Sequence, residues 1–157
     1  MSQPQDRPNT PELPGLHLQS VTERFKALFN QMSSDDLGAM SEVYHPEVTF
    51  TDPFVTVQGL EALEVYFDGA YGNVIECRFE FSDDIGSGND ICLPWVMKLR
   101  HKRIRRGELI EVDGITRLHL EDELVTVHRD YFDAGQLLYE NLPVLGSAVR
   151  WLRKHAA

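Results

Sequence analysis

Asp52 is the residue whose neighbours best equip it for chemistry. In the run Val48, Phe50, Asp52, alternate residues turn to one face of a strand, with Thr49 and Thr51 on the other. A carboxylate therefore shares the face of two core residues, and Pro53 holds it in extended backbone. Apolar surroundings disfavour a charged carboxylate, which would poise it as a general base nearer neutrality. The same spacing suits a carboxylate that only caps the turn before the next helix, or one that pairs with a cation. In LVTVHRDYFD, Val125, Val127, Arg129 and Tyr131 alternate onto one face. A guanidinium turned inward there would seek Asp52, and turned outward it would be a plain surface cation. Trp95 and Met97 lie on the apolar side of their own strand. With Tyr44, Phe54 and Tyr131 they would make an adaptable aromatic wall, although simple core packing also explains Met97.

Other chemistries lack their usual residues. The six histidines, His17, His45, His101, His119, His128 and His155, show no HxH or HExxH spacing, so no metal site is expected. GxSxG, phosphate-loop and dinucleotide motifs are missing from the sequence, and no cofactor is expected. A formal net charge of −10 argues against a general nucleic-acid partner, because counterion release needs surplus Lys and Arg. The cluster Lys98, Arg100, Lys102, Arg103, Arg105 and Arg106 beside Gly107 reads as a solvated hairpin end rather than a patch for an acidic partner. Two cysteines, Cys77 and Cys92, without CxxC spacing suit a reducing compartment. With no run of about 20 apolar residues and no secretory-type apolar leader, a cytoplasmic protein without membrane contact is expected.

These residues need elements to position them, and 157 residues are about one domain's length. Residues 1–16 hold four of the eight prolines and read as a flexible arm. Ser20 and Glu23 form a capping-box pattern ahead of Val21, Phe25, Leu28, Phe29 and Met32 at helical spacing. Ser34 or Asp35 could cap a second, short helix bearing Leu37, Met40 and Tyr44, ended by His45-Pro46. A third helix follows Gly59, with Leu60, Leu63, Phe67 and Tyr71 on one stripe. The period then drops to two: Ile75, Cys77, Phe79 and Phe81; Leu93, Trp95, Met97 and Leu99; and two more runs near 109–121 and 124–133. Helices followed by long strands define an α+β class, a curved antiparallel sheet wrapped around three N-terminal helices. Residues 17–133 are the domain, and 134–157 an extra C-terminal helical extension interrupted at Pro143.

The helix-one segment, the stretch DDLGAMSEVYHPEVTFTDPF, the helix entry VQGLEALEVYF and the final HRDYFD together resemble the nuclear transport factor 2-like, or SnoaL-like, family that includes ketosteroid isomerase and polyketide cyclases. The resemblance spans about residues 18–133. It implies a conical apolar pocket open at one end, lined by the Arg129 face of the last strand, and a homodimer through the outer sheet face. It also matches Asp52 to the isomerase's proton-abstracting aspartate. The isomerase's oxyanion donors are not reproduced: the helix-one position falls on Phe25, the later acid falls on Thr116, and Asp113 has outward parity. Three readings follow. The protein is a cofactor-free isomerase- or cyclase-like enzyme using Asp52, a binder of a small apolar or mixed-polarity ligand, or a dimeric interaction module whose C-terminal helix docks a partner.

Overall fold

The computed structural model describes residues 14–32, 38–138, 141 and 145–155, with backbone alone for residues 14–20, 145, 146, 149, 150 and 153. The expected arm lies outside these up to residue 13, as do Pro143 and the caps expected at Ser34 or Asp35. Helix α1 spans Pro14–Gln31, so Ser20 and Glu23 sit inside it rather than at its cap. A proline is tolerated at the first helical position because its missing N–H has no helical partner there. Val21, Phe25, Leu28 and Phe29 form its buried face, and Met32 follows just beyond. The last turn is fixed to the sheet by Asn30, whose Nδ2 donates to the Phe79 carbonyl at 3.1 Å while its Oδ1 accepts the Phe79 N–H at 2.8 Å.

In place of the expected second helix there is one 3-10 turn, Gly38–Glu42, and Tyr44 already begins strand β1, Tyr44–Thr51. Pro46 sits where the pairing of β1 slips between Tyr44 and Thr49, a place that tolerates a residue without an N–H. After β2 (Thr56–Gln58), Gly59 at φ +85° leads into α2, Leu60–Tyr71, with Leu63 and Phe67 buried as its stripe requires. Then come β3 (Val74–Phe81), β4 (Ile85–Ser87), β5 (Asp90–His101), β6 (Ile110–Glu121) and β7 (Leu124–Phe132). A bulge between Val74 and Glu76 turns Ile75 outward, against its expected inward phase.

The sheet runs β2-β1-β7-β6-β5-β3, with β4 on β5. It is mixed rather than wholly antiparallel, because β1 lies parallel to β7. Two helices, α3 (Ala134–Leu137) and α4 (Leu145–His155), lie in the C-terminal stretch, on either side of Pro143. Asp133 caps α3, and Gln136 clamps it to β6 through the Asp113 N–H and carboxylate. No helix among the described residues is long and apolar enough to cross a membrane.

Gly114 on β6 is where the sheet admits a large side chain. Its cross-strand partner is Trp95, and a Cβ at Gly114 would stand 2.2 Å from the indole Cη2 and 2.4 Å from Cζ2. The ring therefore lies over bare backbone and reaches Thr116, to whose Oγ1 its Nε1–H donates at 2.8 Å. Gly114→Ala is expected to lift the indole, break that bond and cost about 2–3 kcal/mol. The urea midpoint and the near-ultraviolet tryptophan signal would report both effects.

Candidate active site

Between α2, the inner face of the sheet and the β7–α3 junction lies a cavity of about 270 Å³. Its wall is mainly aromatic and aliphatic: Phe29, Phe50, Phe54, Phe67, Trp95, Met97 and Phe132 are among its lining residues. Asp52, Tyr66 and Asp130 bring polar groups into it. Asp52 holds the turn after β1, its Oδ1 accepting the N–H groups of Phe54 at 2.7 Å and Val55 at 2.8 Å. Its Oδ2 accepts the hydroxyl of Tyr66 from α2. Burial, then the hydrogen bond to Asp52, push the Tyr66 phenol well above its ordinary range, so it remains a donor.

The second carboxylate was not among the expected site residues. His119 pairs with Val127 but Leu120 pairs with Val125, so Thr126 is an extra residue in β7, its hydroxyl donating to the His119 carbonyl at 3.3 Å. That bulge reverses the alternation. Val125 faces in, but beyond the bulge His128, Asp130 and Phe132 face in while Val127, Arg129 and Tyr131 are exposed. The β1 register agrees: Phe50 pairs with inward His128, and outward Thr51 pairs with Arg129. The expected inward facing of Arg129 and its pairing with Asp52 are thus corrected. Its guanidinium lies 5.0 Å from the ring of Tyr131 on the outer face, and Tyr131 is no part of the wall either.

Asp130 ends a chain of directed hydrogen bonds. Trp95 donates to Thr116, and Thr116 Oγ1 donates to Asp130 Oδ1 at 2.5 Å. From the other side His128 Nε2 meets the same Oδ1 at 2.8 Å, and Tyr44 meets His128 Nδ1 at 2.8 Å. Burial, then the Asp130 charge, raise the Tyr44 phenol well above its ordinary range, so it stays protonated. In the tautomer whose Nδ1 accepts from Tyr44, Nε2–H donates to Asp130, and every donor in the chain is then directed toward the carboxylate. Among the described residues no hydrogen bond engages Oδ2, and Asp130 is one of the residues that line the cavity.

Of the expected wall residues, Phe54, Trp95 and Met97 line the cavity, Phe54 half-exposed with its ring 5.8 Å from Phe132. Thr116 stands behind the wall, joining Trp95 to Asp130. Tyr44 is corrected from wall to core: it is fully buried and stacked 5.9 Å from His128. Phe25 also packs edge-on to His128, at 5.3 Å, supplying no donor. The basic hairpin end is held by surface pairs, Lys98 with Glu80, Arg100 with Glu76 and Arg105 with Glu108. Among the described residues no group of three or more His, Cys, Asp or Glu could hold a metal ion. Tyr66 escaped the sequence reading because it sits at the edge of the α2 apolar stripe, although its position beside Phe67 was a usable sign.

A curled sheet with helices laid on one face and a cavity between them is the nuclear transport factor 2-like cone. The profile of the SnoaL-like domain family matches residues 24–128, and the chain belongs to that family. Among solved structures it is similar to a nuclear transport factor 2-like protein of unknown function from Burkholderia pseudomallei K96243, with TM-score 0.69, 15% identity, and 78% of this chain and 95% of that one covered. It is similar to a protein of ketosteroid isomerase-like fold from Catenulispora acidiphila DSM 44928 in complex with trimethylamine, with TM-score 0.67, 15% identity and coverage of 77% and 91%. A proposed SnoaL-like polyketide cyclase from Shewanella denitrificans OS-217 gives TM-score 0.64, 16% identity and coverage of 76% and 92%. These identities carry the fold alone. No curated protein matches the chain in sequence.

Proposed function

We propose that this SnoaL-like domain binds a small, mostly apolar molecule with a polar edge and performs cofactor-free acid–base chemistry on it, of the isomerase or cyclase kind. The observation that carries this reading is Asp130, a residue lining an apolar cavity, held through one oxygen by Thr116 and His128 while no hydrogen bond among the described residues engages the other. Such a carboxylate is oriented before the ligand arrives, which is what proton abstraction requires. In the proposed step Oδ2 takes a proton from carbon next to a ligand carbonyl, leaving an enolate. The protonated acid then returns the proton to another carbon, or to the alkoxide formed when the enolate carbon attacks a second carbonyl of the same molecule.

Asp52, expected as the base, has three donors on its two oxygens and serves in this reading to hold the turn and Tyr66 at the cavity. A homodimer through the outer sheet face belongs to the same proposal. Pro94, Ile115 and Tyr131 are cross-strand partners in a row on that face and would form its apolar centre.

The test uses β-tetralone, a bicyclic ketone with acidic hydrogens beside its carbonyl, in deuterium oxide. The protein is expected to speed deuterium uptake at that carbon above the buffer rate, as followed by proton magnetic resonance. The interaction-module reading draws on Trp151 and Leu152, both more than half exposed on α4. It would be favoured by no exchange together with no quenching of Trp95 by any aromatic ketone.

A further inference from the structure

The cavity has a second polar end that the proposed proton transfer does not use. Alternate residues of β5, Trp95, Met97, Leu99 and His101, line it in succession. At about 3.3 Å per residue they carry the wall roughly 20 Å, from the indole tied to the Asp130 network to an imidazole at the far end. Toward that end the lining also includes Val74, the cross-strand partner of His101, Cys77, the partner of Leu99, and Tyr71 from the last turn of α2.

The two ends differ in charge. Asp52 and Asp130 make one end acidic, whereas the groups at the other are neutral near pH 7. Burial raises the Tyr71 phenol well above its usual range, burial pushes the Cys77 thiol up to about 11, and burial followed by the Arg103 charge pulls the His101 imidazole below an ordinary histidine. The tautomer of His101 follows from its surroundings. Its Nδ1 accepts the Arg103 N–H at 3.2 Å across the turn after β5, so the proton of the neutral ring sits on Nε2. Among the described residues no acceptor meets that Nε2–H. An imidazole fixed by one nitrogen to the backbone, with a donor left over on a cavity wall, is suited to receive an uncharged acceptor.

We propose that His101 is a specificity-determining residue that selects elongated ligands by donating from Nε2 to an uncharged oxygen acceptor, such as a carbonyl, at the end of the molecule remote from Asp52 and Asp130. The proposal rests on the ligand-binding reading above and deepens it. The ligand class is a bipolar molecule with a donor or carbon acid at one end, an apolar middle that fits along Met97 and Leu99, and a neutral acceptor at the other end.

Two stilbenes test this, each with a para phenol on one ring. The other ring carries a para acetyl group in one and an isopropenyl group in its isostere, where CH₂ replaces the carbonyl oxygen. Binding is read as quenching of Trp95 in a Trp151→Phe background, which removes the only other tryptophan. The acetyl compound is expected to bind about fivefold to tenfold more tightly, the worth of one hydrogen bond. In His101→Phe, which keeps a ring but no donor, that preference should vanish while the isopropenyl compound still binds. Should the phenylalanine variant lose its circular-dichroism signature, His101→Met makes the same comparison. Equal binding of the two compounds by the parent protein, or an undiminished preference in the variant, overturns the role of His101 and leaves the cavity reading standing. No quenching of the parent protein by either compound overturns the cavity reading and this inference with it.

Discussion

Asp130→Asn should lower the deuterium exchange rate with β-tetralone by about a thousandfold while leaving the fold intact, since a positioned general base supplies roughly 10²–10⁴ in rate. The amide matches the carboxylate in shape, and its oxygen can keep both donors now held by Oδ1, Thr116 Oγ1–H and His128 Nε2–H. The amide nitrogen then takes the place of Oδ2 and presents hydrogens where a lone pair is needed. Binding, read by Trp95 quenching, should change little, so the loss should fall on kcat rather than KM. Asp52→Asn is the contrasting variant. Its amide oxygen can keep the two backbone donors from Phe54 and Val55, and its nitrogen can donate to the Tyr66 oxygen. Its expected effect on exchange is less than about tenfold, because it keeps the turn and alters no base. The opposite ranking of the two variants would return the base to Asp52 and remove Asp130 from the reaction.

His128→Ala is expected to be the most destabilising single change near the site, at about 3–5 kcal/mol. The imidazole is fully buried among Phe25, Phe29, Phe50 and Tyr44, with ring centroids from 4.8 to 5.9 Å away. Its removal leaves a void, and it strands the Tyr44 hydroxyl without an acceptor inside the core. A loss of that size is a large share of the roughly 5–15 kcal/mol that holds a domain together, and for a chain this long should lower Tm by about 10–15 °C. Urea unfolding would measure it directly. Tyr44→Phe added to His128→Ala removes the stranded hydroxyl, so the double variant should recover about 1–2 kcal/mol relative to additive losses. Strict additivity would mean that the Tyr44–His128 hydrogen bond contributes nothing to stability.

Much of the fold was legible because its signals are local. Phe25, Leu28 and Phe29 recur at helical spacing, Trp95 and Met97 alternate with polar neighbours, and neither pattern depends on what lies across the sheet. The short second helix failed because Leu37, Met40 and Tyr44 read equally as a helical face and as the approach to a strand. Direction failed with it: that β1 runs parallel to β7 depends on how the chain crosses the molecule, which no run of residues encodes. At the site, Asp52 was legible from two residues of strand parity. Asp130 was not, since Val125 and Val127 set a phase that a single unpaired residue, Thr126, then reverses. The sign of it was present in Phe132, an aromatic residue seven positions after Val125 that also turns inward, which an unbroken strand cannot do.

That one surplus residue has a consequence for how such a wall changes over time. Were the chain shorter by one between Val125 and His128, every later side chain of the strand would trade places. A guanidinium and a phenol would then enter the hollow, and the imidazole and carboxylate would go to solvent. The chemistry offered to a ligand is therefore set by the count of residues as firmly as by their kind, so an in-frame loss of a single codon could recast this pocket more completely than any point substitution.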